Sequence, residues 1–198
     1  MSGEPGAASS GRGTNAATRR LIALIALIAI APMVLAWAAY HYWPRNARTN
    51  YGELLATHVM PRITGERIGV ARAAFDSDAL RGRWLVLYAS GGACDARCAQ
   101  ALYATRQART LQNAERDRVL RVWLVTDAAE PDPRIVAEHP DLEIARVPPA
   151  SVARLPRGGD AIYLVDPLGN LVLAWPVAPD IKALAHDLSH LLRASQIG

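Results

Sequence analysis

The sequence predicts an α/β domain behind one N-terminal transmembrane helix, and two patterns lead to this class. One apolar run near the N-terminus has the length of a membrane span, and farther along, short apolar runs alternate with a segment of helical periodicity. A chain of 198 residues accommodates one ordinary domain and an appendage. Its composition, 51% hydrophobic and 20% charged, excludes a disordered chain. Its 2 Cys are too few for a four-thiolate zinc site or a disulfide-stapled scaffold.

The segment before the apolar run is predicted to be a tail without a fold of its own. Residues 1–20 are mostly small, polar and rich in glycine, which predicts disorder. Arg12, Arg19 and Arg20 lie in this tail and account for much of the net charge of +4. The remainder of the chain is close to neutral, so we expect no nucleic-acid partner.

Residues 21–43 form an uninterrupted run of 23 residues without Asp, Glu, Lys or Arg, long enough to cross a bilayer as a helix. Two alternatives to an uncleaved anchor are a cleaved signal peptide and a buried core helix. Because Arg19 and Arg20 directly precede the run, we expect the N-terminus in the cytoplasm. The sequence thus predicts a single pass through a membrane, with residues 44–50 as a linker and the C-terminal domain outside the cytoplasm.

The domain, residues 51–198, contains a predicted βαβ unit. The run Trp84–Ala89 is continuously apolar, as in a strand buried on both faces, and 119–125 repeats that pattern. Between them, 95–113 shows apolar residues at helical spacing. A strand, a helix and a strand in this order predict two parallel neighbours joined by a right-handed crossover.

The second half of the domain predicts a hairpin and a closing helix. After a proline-rich stretch with a short helix near 135–139 and a short strand near 142–147, the runs 161–165 and 171–175 flank a type I turn sequence, Asp166-Pro167-Leu168-Gly169. An amphipathic helix over 179–193 ends the domain. The order βαβ followed by ββα predicts a thioredoxin-like fold.

Cys94 and Cys98 are the residues that carry chemistry in this arrangement. They lie where a parallel strand ends and a helix begins, which is the usual ligand position in an open α/β sheet. We expect Cys94 at the helix N-cap and Cys98 one turn inside, where the helix dipole and Arg97 favour thiolates. Two such thiolates exchange disulfides, with Cys94 attacking and Cys98 resolving, or bind Cu(I). The alternatives are inert buried thiols and a permanent structural disulfide.

Other polar residues of the domain are candidates for a part in this chemistry. His186 and His190 have metal-compatible spacing, but they share a helix stripe with charged residues and are expected to be solvated. His139 precedes a proline and is expected to be exposed at a helix end. Asp127 follows the second strand and either orients a thiol or begins the loop.

The residues around the cysteines resemble the Sco/SenC family. The similarity covers the stretch Gly52–Cys98, with Leu80–Tyr88 before the Cys94-Asp95-Ala96-Arg97-Cys98 motif, and the hairpin segment Ile162–Gly169. Members of that family are membrane-anchored, thioredoxin-like proteins that help install copper in cytochrome c oxidase. The resemblance implies a bacterial inner membrane with the domain in the periplasm, an oxidase subunit as partner, and Cu(I) on Cys94 and Cys98.

This chain departs from the family pattern at the site itself. A proline follows each cysteine in the family, where this chain has Asp95 and Ala99, and the family's histidine ligand falls on Gly158. The thioredoxin-type cis-proline falls near Asp160, where no proline stands. We therefore expect a membrane-anchored factor in cytochrome c oxidase biogenesis that acts by thiol–disulfide exchange or by Cu(I) transfer. The alternative is a non-enzymatic membrane scaffold or binding protein of the same fold, with neither a redox nor a copper role.

Overall fold

The structure is a computed structural model that describes residues 14–42, 50–69 and 73–195. The chain divides into two compact units, Met1–Arg48 and Thr49–Gly198.

The first unit contains one long helix, α1, Thr14–Tyr42. Its portion Ala16–Tyr42 is long and apolar enough to cross a membrane, and its large apolar side chains are exposed. At the rise of an α-helix, this portion extends about 40 Å, more than the hydrocarbon thickness of a bilayer. The helix begins at Thr14 rather than at residue 21, because alanine and arginine in the predicted tail are good helix formers. Residues 1–13 of that tail, residue 43 of the span and residues 44–49 of the linker lie outside the described part of the chain.

The second unit is an α/β domain whose strands form one mixed sheet. In the described residues the sheet has eight strands in the order β1-β8-β7-β4-β5-β6-β2-β3. The strands are β1 Glu53–Val59, β2 Thr64–Arg67, β3 Ala74–Asp76, β4 Trp84–Ser90, β5 Val119–Val125, β6 Leu142–Arg146, β7 Ile162–Val165 and β8 Asn170–Trp175. The helices of the domain are α2 Ala96–Thr110, α3 Pro133–Glu138, α4 Pro149–Val152 and α5 Ile181–Ala194.

The predicted βαβ unit and hairpin form the centre of this sheet. Strands β4, β5 and β6 are parallel, and β7 and β8 pair antiparallel beside β4. The fold is thioredoxin-like, as the element order predicts. One apolar cluster packs α2 and α5 against the sheet, and a second cluster includes residues from the segment 60–80 and from α4. Strands β1, β2 and β3 are additions that the sequence does not predict, because they are peripheral and only partly buried.

Asp187 ties the start of this domain to its last strand and helix. Its carboxylate accepts hydrogen bonds from the backbone N–H groups of Tyr51 (3.0 Å) and Gly52 (2.8 Å) and from the indole Nε1 of Trp175 (2.9 Å). The residue is 1% exposed, so three donors satisfy a buried carboxylate. The contact fixes where the chain enters the domain relative to β8 and α5.

His139 is buried, which corrects the expectation of an exposed residue at a helix end. It caps the C-terminus of α3 and is only 4% exposed, because that short helix packs Ile135 and Val136 onto the core. Its ring Nδ1 has no hydrogen-bond partner among the described residues. Burial, followed by the positive charges of Arg121 and Arg106, lowers the pKa of His139 to about 4, against a smaller opposite effect of Asp141.

This buried imidazole makes the domain sensitive to mild acid. In the unfolded chain, His139 binds a proton below its ordinary pKa of 6.5. In the folded domain it binds that proton only near pH 4, because its pKa is lowered to about 4. With respect to this group, the folded domain is therefore most stable above pH 6.5, and it loses stability as pH falls from 6.5 to 4. We expect wild type to lose up to about 3 kcal/mol more than His139→Gln over this window, measured by urea unfolding of the full chain in detergent at several pH values. Parallel stability curves for the two proteins would contradict this expectation.

Candidate functional site

Cys94 and Cys98 form a disulfide at the carboxyl end of β4. Their Cα atoms are 5.1 Å apart. Cys98 lies in the first turn of α2 and is 1% exposed, whereas Cys94 lies in the preceding loop and is partly exposed. The two sulfurs of the bond are therefore unequal in access, with Cys94 on the solvent side and Cys98 beneath it.

The loop between β4 and α2 is held by Asp127, which follows β5. One carboxylate oxygen of Asp127 accepts hydrogen bonds from the backbone N–H groups of Gly92 (2.8 Å) and Ala129 (3.1 Å). A Cβ at Gly92 would overlap the carbonyl oxygen of Ala129, so only glycine allows this approach. Of the two interpretations of Asp127, the structure supports a role in building the loop.

The helix after the loop begins one residue later than expected. Asp95, not Cys94, is the N-cap of α2, and its side chain accepts a hydrogen bond from the backbone N–H of Cys98 (2.9 Å). Aspartate is among the preferred N-cap residues because its carboxylate satisfies a free N–H of the first turn. Cys94 lies outside the helix with a φ of 44°, a left-handed backbone that costs a non-glycine residue about 1–3 kcal/mol.

Arg97, which was expected to stabilise the thiolates, forms an ion pair with Asp160. Its guanidinium lies 3.4 Å from a carboxylate oxygen of Asp160, and both side chains are largely exposed. Because this carboxylate offsets the charge of Arg97, the expected contribution of Arg97 to thiolate stability is reduced. The exposed pair joins α2 to the segment that precedes β7.

The disulfide borders a cleft of about 610 Å³. Residues from the end of β4, the start of α2 and the segment 149–160 line it, among them Tyr88, Cys94, Cys98, Gly158, Gly159 and Asp160. Gly158, the position at which spacing places the family's histidine, thus lies in the same cleft as the cysteines. It has a φ of +54° and contributes no side-chain donor. Spacing therefore identifies the correct part of the fold but finds no third ligand there.

The other candidate ligands do not reach this site. His186 and His190 are exposed on α5, in agreement with a solvated helix face. In the described part of the chain, no group of three or more His, Cys, Asp or Glu residues is arranged to hold a metal ion. Cys94 and Cys98 provide the sulfur atoms among the residues that line the cleft.

Sequence reasoning missed two polar residues that contact the buried sulfur or its neighbour. The Ser90 hydroxyl lies 3.2 Å from Cys98 Sγ, and the indole Nε1 of Trp123 donates to Ser90 Oγ at 2.8 Å. Tyr88 lies in the same region, and burial raises the pKa of its hydroxyl. Trp123 and Ser90 are 33 residues apart and meet only because β4 and β5 pair in parallel. A small polar residue at the end of an apolar strand is the one signal the sequence offers.

Comparison with known families decides the classification of the domain. A family model described as "transmembrane-like, thioredoxin-like, C-terminal domain" matches residues 84–195, more than half of the chain. The chain belongs to this family. The match covers β4 to α5, and so includes the disulfide, the cleft and the hairpin of this transmembrane-like thioredoxin-like protein.

Solved structures with the same fold include Sco proteins and a disulfide oxidoreductase. ScoI of Arabidopsis thaliana with copper bound has a TM-score of 0.57 at 18% identity, covering 70% of this chain and 100% of that chain. Yeast Sco1 with copper bound has a TM-score of 0.57 at 15% identity, over 69% and 94% of the two chains. The thioredoxin domain of a thiol-disulfide oxidoreductase from Bacteroides vulgatus has a TM-score of 0.52 at 19% identity, over 70% and 99%.

These comparisons confirm the resemblance to Sco proteins at the level of the fold. Identities below 20% support the fold and not the activity. No curated protein matches the chain by sequence.

Proposed function

We propose that this protein is a membrane-anchored thiol–disulfide exchange factor that acts through Cys94 and Cys98. The observation that carries the proposal is the disulfide at the edge of the cleft, with Cys94 accessible and Cys98 buried beneath it. In a thiol pair of this kind, the exposed sulfur attacks the target disulfide, and the buried sulfur then attacks the mixed disulfide and releases the target. A permanent structural disulfide has no need of an open cleft at one of its sulfurs.

The exchange proceeds in two steps. In the dithiol form, the Cys94 thiolate attacks one sulfur of a target disulfide, forming a mixed disulfide and releasing the other target sulfur as a thiolate. The Cys98 thiolate then attacks Cys94 Sγ, which forms the Cys94–Cys98 bond and releases the second target thiol. The target gains two electrons, and the protein loses two. A dithiol donor on the same side of the membrane returns the protein to its reduced form.

We propose as targets the copper-ligand thiols of a cytochrome c oxidase subunit, which must be reduced before they bind metal. Support comes from the likeness of the fold to Sco proteins and from the helix that is long and apolar enough to anchor the chain. Arg19 and Arg20 before that helix support a cytoplasmic N-terminus, and we propose a bacterial inner membrane with the domain on its periplasmic side.

Transfer of Cu(I) as cargo is the second candidate, favoured by the copper-bound Sco structures of the same fold. The donor set fits it less well. Gly158 provides no ligand where spacing places the third one, so Cu(I) would be held by Cys94 and Cys98 alone. We expect two thiolates to bind Cu(I) with low affinity and to exchange it rapidly.

Reconstituting the exchange with purified protein tests the proposal. The full chain in detergent is reduced, freed of reductant under argon, and mixed with a synthetic peptide that contains one disulfide. We expect one peptide disulfide to be reduced for each Cys94–Cys98 bond formed, measured by thiol alkylation and mass spectrometry. Titratable thiols that leave the peptide disulfide intact would contradict the proposal. Anaerobic titration with Cu(I) and a competing chelator then tests the copper candidate, and failure to compete would eliminate it.

A second experiment addresses the target in cells. We expect the Cys94→Ser/Cys98→Ser double variant to fail to restore oxidase activity in a host that lacks its own copy. The matched control is His186→Ser/His190→Ser, which changes two exposed residues on α5 and is expected to restore activity fully. Full oxidase assembly with the cysteine double variant would exclude both thiol-based functions and favour a scaffold.

A further inference from the structure

The hydroxyl group of Ser90 lies between the buried sulfur of the disulfide and an indole of the core. Ser90 is the last residue of β4, and its Oγ is 3.2 Å from Cys98 Sγ, within hydrogen-bond distance for sulfur. Trp123, on the adjacent strand β5, is fully buried and donates from Nε1 to Ser90 Oγ at 2.8 Å. An indole N–H only donates, so Ser90 Oγ is the acceptor in that bond and its own proton is available for another partner.

Several acceptors lie around the Ser90 hydroxyl. They include Cys98 Sγ at 3.2 Å and the carbonyl oxygen of Gly91 at 3.4 Å, and the Tyr88 hydroxyl is a further side-chain partner of Ser90. A disulfide sulfur is a weak acceptor, so in the oxidised form the oxygen acceptors compete well for the Ser90 proton. Reduction gives a thiol and, once its proton is lost, a thiolate, and a charged sulfur accepts a stronger hydrogen bond than a neutral one. The Ser90–Cys98 contact is therefore stronger in the dithiol form than in the disulfide form.

We infer that Ser90 is a positioning residue that raises the reduction potential of the Cys94–Cys98 couple, with the Trp123 indole holding its hydroxyl against Cys98 Sγ. An interaction that favours the reduced form makes the couple a stronger oxidant. The N–H bond from Trp123 holds the oxygen in place and polarises its O–H group. This inference rests on the proposed exchange function, since the potential matters only for a couple that cycles.

The reduction potential of the full chain tests this inference directly. The protein in detergent is equilibrated at one pH with mixtures of reduced and oxidised dithiothreitol, and the dithiol fraction is read by thiol alkylation. We expect Ser90→Ala to shift the equilibrium about tenfold toward the disulfide, which makes the potential about 30 mV more negative. A potential equal to that of wild type would overturn the inference.

Thr126→Val is the matched control. Its hydroxyl donates to the Ser90 carbonyl at 3.3 Å, so it lies beside the same strand end without contacting sulfur in the hydrogen bonds described. We expect this variant to keep the wild-type potential. An equal shift in Thr126→Val and Ser90→Ala would overturn the inference, because loosening of the strand end would then account for both.

A second variant makes the test independent of how well Ser90→Ala folds. Trp123→Phe keeps the serine and removes the N–H that holds it, so we expect a smaller shift in the same direction; an unchanged potential overturns the inference as stated. Failure of the proposed function has a different signature. In that case the wild-type disulfide does not interchange with dithiothreitol in the folded protein, and no potential is obtained for any variant.

Discussion

Replacing Cys98 with serine is expected to trap this protein on its target as a stable mixed disulfide. Cys94 remains partly exposed at the cleft and attacks as before, but the sulfur that releases the target is gone. With the single-disulfide peptide in excess, and with the thiol released on the peptide alkylated at each time point so that it cannot re-form the peptide disulfide, we expect the reduced Cys98→Ser variant to accumulate as a species heavier by the mass of the alkylated peptide. Intact-mass spectrometry under non-reducing conditions measures the adduct, and dithiothreitol is expected to remove it.

Cys94→Ser is the control for this experiment. It leaves Cys98 as the only thiol, and Cys98 is 1% exposed, so we expect adduct formation to be slower by at least about tenfold. Adducts that form at equal rates on the two single variants would show that Cys94 is not the entry point. Rapid adduct formation on Cys94→Ser alone would reverse the roles of the two cysteines.

Asp187→Ala is expected to give the largest loss of stability of the substitutions considered. The change leaves the N–H groups of Tyr51, Gly52 and Trp175 without their acceptor, and the donors of Gly52 and Trp175 are buried while that of Tyr51 is part-buried. Each buried donor left unpaired costs about 1–3 kcal/mol, so we expect a loss of about 4 kcal/mol in the free energy of unfolding. Urea unfolding of the full chain in detergent, followed by tryptophan fluorescence, measures the difference.

The neighbouring residue His186 is exposed and provides the control for this substitution. His186→Ala changes the same helix on its solvated face and is expected to alter stability by less than about 0.5 kcal/mol. Asp187→Asn keeps one acceptor oxygen and is expected to fall between the two. If Asp187→Ala were no less stable than His186→Ala, the three hydrogen bonds would not be holding the two ends of the domain together.

The central sheet was predictable because its strands are buried on both faces. Trp84–Ala89 and 119–125 are continuous apolar runs, and the parallel pairing of β4 with β5 follows from the helix between them. Strands β2 and β3 were not predictable from the sequence, because Thr64–Arg67 is polar and Ala74–Asp76 is very short. A local pattern of apolar residues identifies a strand only when burial of that strand requires apolar residues in it.

The site was predictable in its position and less so in its contacts. Spacing and the strand end located the cysteines, and spacing also brought Gly158 to the same cleft. The N-cap was displaced by one residue because Cys94 and Asp95 adjoin and the carboxylate is the better cap. Contacts such as that between Ser90 and Trp123 depend on the pairing register of two strands, and a single sequence does not carry that information.

Asp187 shows that one of the missed features did leave a signal. It follows Leu184 by three residues and directly precedes Leu188, both fully buried, so it lies on the apolar face of α5. A carboxylate at such a position needs buried donors. The sequence indicates that need but not that its donors come from residues 51, 52 and 175.

The left-handed backbone at Gly158 bears on how readily a redox site of this kind acquires a metal. Space is not the obstacle to a histidine there, because no atom lies within 4 Å of where its Cβ would stand. The obstacle is the φ of +54°, which an L side chain adopts at a cost of about 1–3 kcal/mol. Cys94 already bears the same cost at a φ of 44°, so a histidine at position 158 would lower stability without requiring the backbone to rearrange, and the binding of a metal would have to offset that loss.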